Sequence, residues 1–131
     1  MEQKIVIVTG ANNGIGFHMT AALLDSGYRV AGFDLSGENV AAFSATYPDR
    51  WRFYRCDVTD AAAVHDATAS VIEAWGRIDI LVNNACLAVF SHFEDRMLDE
   101  TRREFEVNYF GYVHMMQAVL PQMRAQGGGI I

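Results

Sequence analysis

The sequence predicts an α/β fold, a doubly wound parallel sheet with helices on both faces. Three observations carry that expectation. Short apolar, β-branched runs alternate with longer stretches of helical period. The first of those runs is apolar throughout rather than alternating, as in strands covered on both faces. Glycines close the helical stretches at Gly27, Gly76 and Gly127–Gly129. Such alternation implies right-handed crossovers and a strand order of 3-2-1-4-5, with a switch point between strands 1 and 4 where sheets of this kind bind ligands.

Each element has its own signal. Lys4–Thr9 reads as the first strand, and a helix follows over Ile15–Ser26, with Ile15, Met19, Ala22 and Leu23 at helical spacing. Arg29–Asp34 is the second strand. A helix is expected from about Ser36 to Tyr47, ended by Pro48-Asp49, and Trp51–Arg55 is the third strand. Thr59 or Asp60 caps a helix to Trp75, with Val64, Ala67, Val71 and Trp75 on one face. Ile80–Asn83 is the fourth strand. Ala88–Glu100 reads as irregular, with room for one helical turn. Arg102–Arg124 is the longest helix, and Ile130-Ile131 starts a fifth strand.

With 131 residues the chain is one domain, residues 1–131, long enough for a real core. Half of it is hydrophobic and a fifth charged, which argues against disorder. The net charge of −6 disfavours nucleic acid and anionic membrane as partners. No apolar run is long enough to cross a bilayer or to form a signal-peptide core, so a cytoplasmic location is expected. Cys56 and Cys86 form no CxxC pair and read as small buried residues at strand ends. The histidines are scattered, and no metal site is expected.

Gly10, Gly14 and Gly16 lie between a predicted strand and a predicted helix. A glycine-rich turn there lets backbone N–H groups approach a pyrophosphate, and the helix N-terminus adds its positive dipole. An ordinary tight turn is the alternative. Asp34 ends the second strand, where a carboxylate can accept both ribose hydroxyls of NAD and repel the 2′-phosphate of NADP. No Arg or Lys stands at Asn12, Asn13, Leu35 or Ser36 to reverse that preference. Asp34 can also cap the turn that follows, and both roles can hold together.

These residues resemble the short-chain dehydrogenase/reductase family, whose fold is Rossmann-like. Its Thr-Gly-x-x-x-Gly-x-Gly turn is matched by Thr9, Gly10, Gly14 and Gly16. Its Asp-Val pair after the third strand, which contacts adenine, is matched by Asp57 and Val58. Its Asn-Asn-Ala-Gly motif is matched by Asn83, Asn84 and Ala85, with Cys86 in place of the last glycine. Its catalytic helix asparagine is matched by Asn108. The resemblance covers the whole chain. It implies NAD as cofactor, held by Gly10, Asn12, Asn13, Gly14, Ile15 and Gly16 in the turn. Asp34 and Leu35 follow at the second strand, then Asp57 and Val58, then Asn84, Ala85 and Cys86. If the glycine replaced by Cys86 needs a positive φ, the side chain costs about 1 kcal/mol there.

The family's catalytic Ser follows its fifth strand, and its Tyr-x-x-x-Lys the next helix; neither has a counterpart here. Tyr109 and Tyr112 are followed four residues on by Val113 and Met116. The resemblance therefore implies a C-terminally truncated member, ending at the fifth strand, that retains only Asn108 of the catalytic set. Three functions stay open. The chain binds NAD without turnover, or it is an active NAD-dependent oxidoreductase of secondary alcohols or ketones whose missing half is supplied elsewhere, or it is a structural or interaction remnant. The Arg102–Arg124 helix carries apolar residues on more than one face, and family members commonly pair through it. A homo-oligomer joined there is expected.

Overall fold

Strand β1 (Ile5–Thr9) is buried at all five positions and sits in the middle of the sheet. The computed structural model describes residues 3–131, and all four of its strands run parallel in the order β3-β2-β1-β4. Here β2 is Arg29–Asp34, β3 is Trp51–Arg55 and β4 is Ile80–Val82. Val8 pairs with Gly32 on one side and Val82 on the other. Beyond β4, Ile130 forms a parallel bridge to Ile80, with Ile130 N–H donating to Asp79 (2.9 Å) and Leu81 N–H donating to Ile130 (2.9 Å). The fifth segment thus lies where the expected 3-2-1-4-5 order puts it.

The period of two along β1 builds two cores. Val6 and Val8 face a cluster with Leu24, Val30, Val40 and Trp51. Ile5 and Ile7 face the opposite cluster, with Val71, Met115, Val119 and Met123. Helix α1 (Gly14–Asp25) and the one-turn α2 (Phe43–Thr46) supply the first face, while α3 (Ala61–Trp75) and α5 (Gly111–Ala125) supply the second. Gly32 is small of necessity: a Cβ there would lie 2.2 Å from the Trp51 ring and 2.9 Å from Ala11 Cβ.

Three expectations are corrected. The helix foreseen over Ser36–Tyr47 shrinks to α2, because the Asn39 and Val40 amides donate to the Asn12 side chain (2.9 and 3.3 Å) instead of to a helical ladder. The buried face of α1 is Gly16, Thr20 and Leu24, not the Ile15 stripe; Ile15 is 73% exposed. Small residues are needed where the helix starts close against the turn. The long helix begins earlier than Arg102: α4 spans Leu98–Phe105 and runs through a π-helical turn at Glu106–Phe110 into α5. A 3₁₀ turn at Phe93–Asp95 is the only helical turn before α4 in the irregular stretch, and Pro121 is accommodated inside α5.

Helix α3 matches expectation closely. Asp60 Oδ1 accepts from Ala62 and Ala63 N–H, both at 3.0 Å, and Gly76 closes the helix at φ 79°. Gln126 fastens the end of α5 to the start of β4: its Oε1 accepts from Ile78 N–H (3.2 Å) and its Nε2 donates to Ile78 O (2.6 Å).

Asp60→Ala is expected to lower stability by about 1 kcal/mol, the scale of a lost N-cap. Urea denaturation checks this: the midpoint falls with no change in slope. An unchanged midpoint would show that water replaces the carboxylate at no cost.

Candidate functional site

Beyond the pairing of Val8 with Val82, β1 and β4 part, and a cleft of about 840 Å³ opens at the C-terminal ends of the strands. Thr9 fixes that parting. Its hydroxyl is fully buried, donates to Val82 O (3.3 Å) and accepts from Asn84 N–H (2.9 Å) and Ala85 N–H (3.0 Å). Asn84 returns the contact, its Nδ2 donating to Thr9 O (3.0 Å) and Gly10 O (3.2 Å). The two motifs are thereby stitched together across 75 residues of sequence.

The glycine turn leaves β1 in left-handed conformations, with φ 67° at Gly10 and 52° at Gly14. Gly10 N–H donates to Phe33 O (2.8 Å), tying the turn to β2. Gly14 lines the cleft, and apart from its chain neighbours and its own helix backbone no atom lies within 4 Å of where its Cβ would stand. The turn therefore has room for a ligand to reach the backbone. Gly16 serves differently. A Cβ there would sit 1.9 Å from Gly10 O and 2.5 Å from Asn84 Nδ2, so its small size lets α1 approach the turn.

Asp34 lines the cleft at the end of β2. Its Oδ2 accepts from Asn12 N–H (2.9 Å) and its Oδ1 from Leu35 N–H (2.7 Å), so both oxygens are oriented and keep lone pairs for a ligand. The ribose-binding and turn-capping readings of this residue are thus geometrically compatible. Leu35, Asn13, Ile15, Ala85 and Cys86 also line the cleft. Asp57 does too, its Oδ1 held by the Thr59 amide (2.9 Å) and hydroxyl (2.8 Å). Val58 rests against Gly111, and His114 Nδ1–H donates to its carbonyl (2.9 Å).

Two expected residues stand behind the wall. Asn12 is 3% exposed and spends its side-chain oxygen on the Asn39 and Val40 amides. Gly16 is buried under the turn. Asn108 lies in the π-helical turn outside the cleft wall. It clamps an extended loop: Leu87 N–H donates to Asn108 Oδ1 (2.8 Å), and Asn108 Nδ2 donates to Leu87 O (2.7 Å). One turn earlier Glu104 holds the same loop by accepting from Val89 N–H (2.7 Å) and pairs with Arg96 (2.5 Å), which also donates to Val89 O. Arg102, Arg103 and Glu106 line the cleft as well, and sequence reasoning did not single them out. Among the described residues no group of three or more His, Cys, Asp or Glu is placed to hold a metal.

The cysteines part ways. Cys56 is buried, as expected, and its thiol is pushed up to about 11, by burial first and by the Asp57 and Asp60 charges after it. Cys86 is exposed, against expectation, because the chain has already left β4 for the loop. No residue other than glycine has a positive φ among the described residues, so Cys86 carries no left-handed strain. Burial raises the Tyr112 phenol, with the nearby Cys86 adding to the shift.

The sequence profile described as "short chain dehydrogenase" matches residues 4–131. The chain belongs to that family. Among its relatives in the family, the D-threitol dehydrogenase of Mycolicibacterium smegmatis is 39% identical over all of this chain and 52% of its own length. The 2-(R)-hydroxypropyl-CoM dehydrogenase of Xanthobacter autotrophicus is 37% identical over 98% of this chain and 54% of its own. A short-chain dehydrogenase structure from Streptomyces avermitilis superposes with a TM-score of 0.93 at 36% identity, covering 98% of this chain and 48% of that one. An alcohol dehydrogenase from Thermococcus sibiricus, complexed with 5-hydroxy-NADP, gives 0.89 at 28%, covering 98% and 57%. The chain thus spans about half the length of the relatives it matches. The membership gives the chain the family's Rossmann-like fold.

Alkylation of the native protein at about pH 8 is expected to modify Cys86 quickly and spare Cys56 until denaturant is added. Mass spectrometry reads the result, and rapid double modification would contradict the placement of Cys56. Because folding raises the Cys56 thiol, its contribution to stability is complete below about 9, the ordinary thiol value. It is lost as pH rises towards about 11.

Proposed function

We propose that residues 1–131 form a unit that binds NAD through the cleft at the ends of β1, β2 and β4. The observation that carries this reading is Asp34, a carboxylate in the cleft wall with each oxygen fixed by a backbone amide. The diol of an adenosine ribose suits two oriented acceptors, whereas the 2′-phosphate of NADP meets like charge with no basic residue at position 35 or 36 to offset it. The turn at Gly10, Asn13, Gly14 and Ile15 takes the pyrophosphate. Asp57 and Val58 flank adenine, and Asn84, Ala85 and Cys86 lie toward nicotinamide. Asn12 and Gly16 act from behind by fixing the turn. The 5-hydroxy-NADP in the Thermococcus sibiricus structure supports a nicotinamide dinucleotide as the ligand class.

When bound, NAD supplies hydride transfer; these residues bind and orient it. Asn108 belongs to the catalytic side of the site by holding Leu87 in place. Proton transfer needs the family's Ser, Tyr and Lys, which no residues here match, so the unit by itself binds without turnover. A second reading, favoured by the roughly half-length overlap with the relatives, is an active oxidoreductase of secondary alcohols or ketones completed by further residues. A cytoplasmic setting suits both readings, and no helix among the described residues is long and apolar enough to cross a membrane. Copies pair through the helix from α4 to α5, where Phe105 and Tyr109 are more than half exposed.

Calorimetric titration is expected to show tighter binding of NAD than of NADP. Asp34→Ser combined with Leu35→Arg should narrow or invert the ratio. Tighter binding of NADP by the unmodified chain would overturn the assignment of Asp34.

No NAD reduction is expected with secondary alcohols. Loss of a general acid/base alone removes about 10²–10⁴-fold in rate. Robust NAD reduction that Asn108→Ala abolishes would contradict this and would mean that another residue replaces the family Tyr.

Light scattering at micromolar concentration should report a dimer or larger. Phe105→Glu with Tyr109→Glu should give monomers that still bind NAD, and a monomeric unmodified protein would refute the pairing.

A further inference from the structure

We propose that Asn39 is a positioning residue for the glycine turn: it holds the Asn13 side-chain oxygen away from the start of α1 and so leaves the Asn13 amide nitrogen for a phosphate-bearing ligand. The inference rests on the dinucleotide-binding reading and deepens it.

Asn13 occupies the N-cap position of α1, with extended backbone angles (φ −138°, ψ 161°), yet its side chain caps nothing. An asparagine there ordinarily accepts from the second or third helical amide, here Ile15 or Gly16. Gly14, the first residue of α1, is left-handed (φ 52°), and the Asn13 oxygen is taken up by the loop after β2. Asn39 Nδ2 donates to Asn12 O (3.1 Å) and to Asn13 Oδ1 (2.7 Å). The Asn12 carbonyl can only accept, so the end of Asn39 that touches it must be nitrogen. That nitrogen has two hydrogens, and the second goes to Asn13, whose contacting atom must then be oxygen. The orientation of both amides follows from one backbone group.

The backbone of Asn39 is anchored in turn, its N–H donating to the buried Asn12 Oδ1 (2.9 Å). Asn12 N–H donates to Asp34. One chain of bonds thus runs from the acid that faces the ribose to the residue that faces the pyrophosphate. Asn13, Gly14 and Ile15 all line the cleft. With its oxygen engaged, Asn13 keeps two N–H donors for that cleft, and the first amides of α1 keep theirs. Without Asn39, the freed Asn13 oxygen would compete with a phosphate for those amides.

The test uses the 131-residue chain with three probes: NAD, ADP-ribose and adenosine. Asn39→Ala should weaken NAD and ADP-ribose about fivefold, the scale of one cap bond, and leave adenosine, which lacks the pyrophosphate, unchanged. In an Asn13→Ala background Asn39→Ala should have no further effect. A merely structural role would weaken all three probes alike, or act equally in both backgrounds, and either result overturns the proposal, as does no loss at all. If the unmodified chain fails to bind NAD, the functional reading falls, and amide exchange in the ligand-free protein decides the inference separately. Exchange at Ile15 and Gly16 should slow in Asn39→Ala as the released side chain caps the helix; unchanged exchange refutes the device. Should Asn39→Ala unfold, Asn39→Asp, which keeps the shape and removes the donor, takes its place.

Discussion

The Thr9 hydroxyl is the group on which the site depends. It sits where the sheet stops being a sheet, at the last residue of β1, and it accepts hydrogen bonds from two amides of the segment that follows β4. Those amides lie past the end of β4 and have no ladder partner of their own in the sheet register. Removing the hydroxyl would leave two partly buried N–H groups without an acceptor, at a cost of about 1–3 kcal/mol each. The asparagine that follows adds the reciprocal bonds to Thr9 and Gly10 carbonyls. The turn and the loop after β4 are therefore tied directly together, although their residues are far apart in sequence.

That junction also explains why a cleft exists. From β1 the chain turns into α1 on one face of the sheet; the helices around α3 and α5 cover the other. Departures to opposite faces leave a crevice between the strands, the general place for ligands in open α/β sheets. The crevice then acquires its character locally. Backbone amides and the start of α1 favour negative charge at the turn. Asp34 and Asp57 favour hydroxyls and amines at the flank. Arg102 and Arg103 offset part of that negative charge from the facing helix. The side chains of Glu104 and Asn108 hang the loop at Leu87 and Val89 beside it.

How much of this was legible in the sequence depends on the range of the interaction. β1 and β2 read clearly because strands covered on both faces are apolar throughout, and α3 because Asp60 and Gly76 mark its ends chemically. The glycine turn and Asp34 read clearly because strand, turn, helix and acid occur at fixed short spacing. What failed was non-local. The stretch at Ser36–Ala42 has helical composition, yet Asn12 takes its amides from the other side of the turn. The α1 face was misjudged because close approach to Gly10 selects Gly16 and Thr20, which carry little hydrophobic signal. Asn39, Arg96 and Glu104 show no period or motif; their partners are chosen by the fold. Cys86 was expected to be buried because it follows an apolar strand, but β4 is only three residues long and the chain is already turning outward.

We propose that this cleft, arranged by Thr9 and Asn84, holds a dinucleotide in one orientation. A crystal structure of the chain with NAD tests it most directly. The adenosine ribose hydroxyls are expected on the two oxygens of Asp34, the pyrophosphate against the amides of Gly14 and Ile15, and the Thr9–Asn84 bonds unchanged. NAD bound in the reverse sense, NAD bound away from the turn, or a Thr9–Asn84 contact that opens on binding would contradict it.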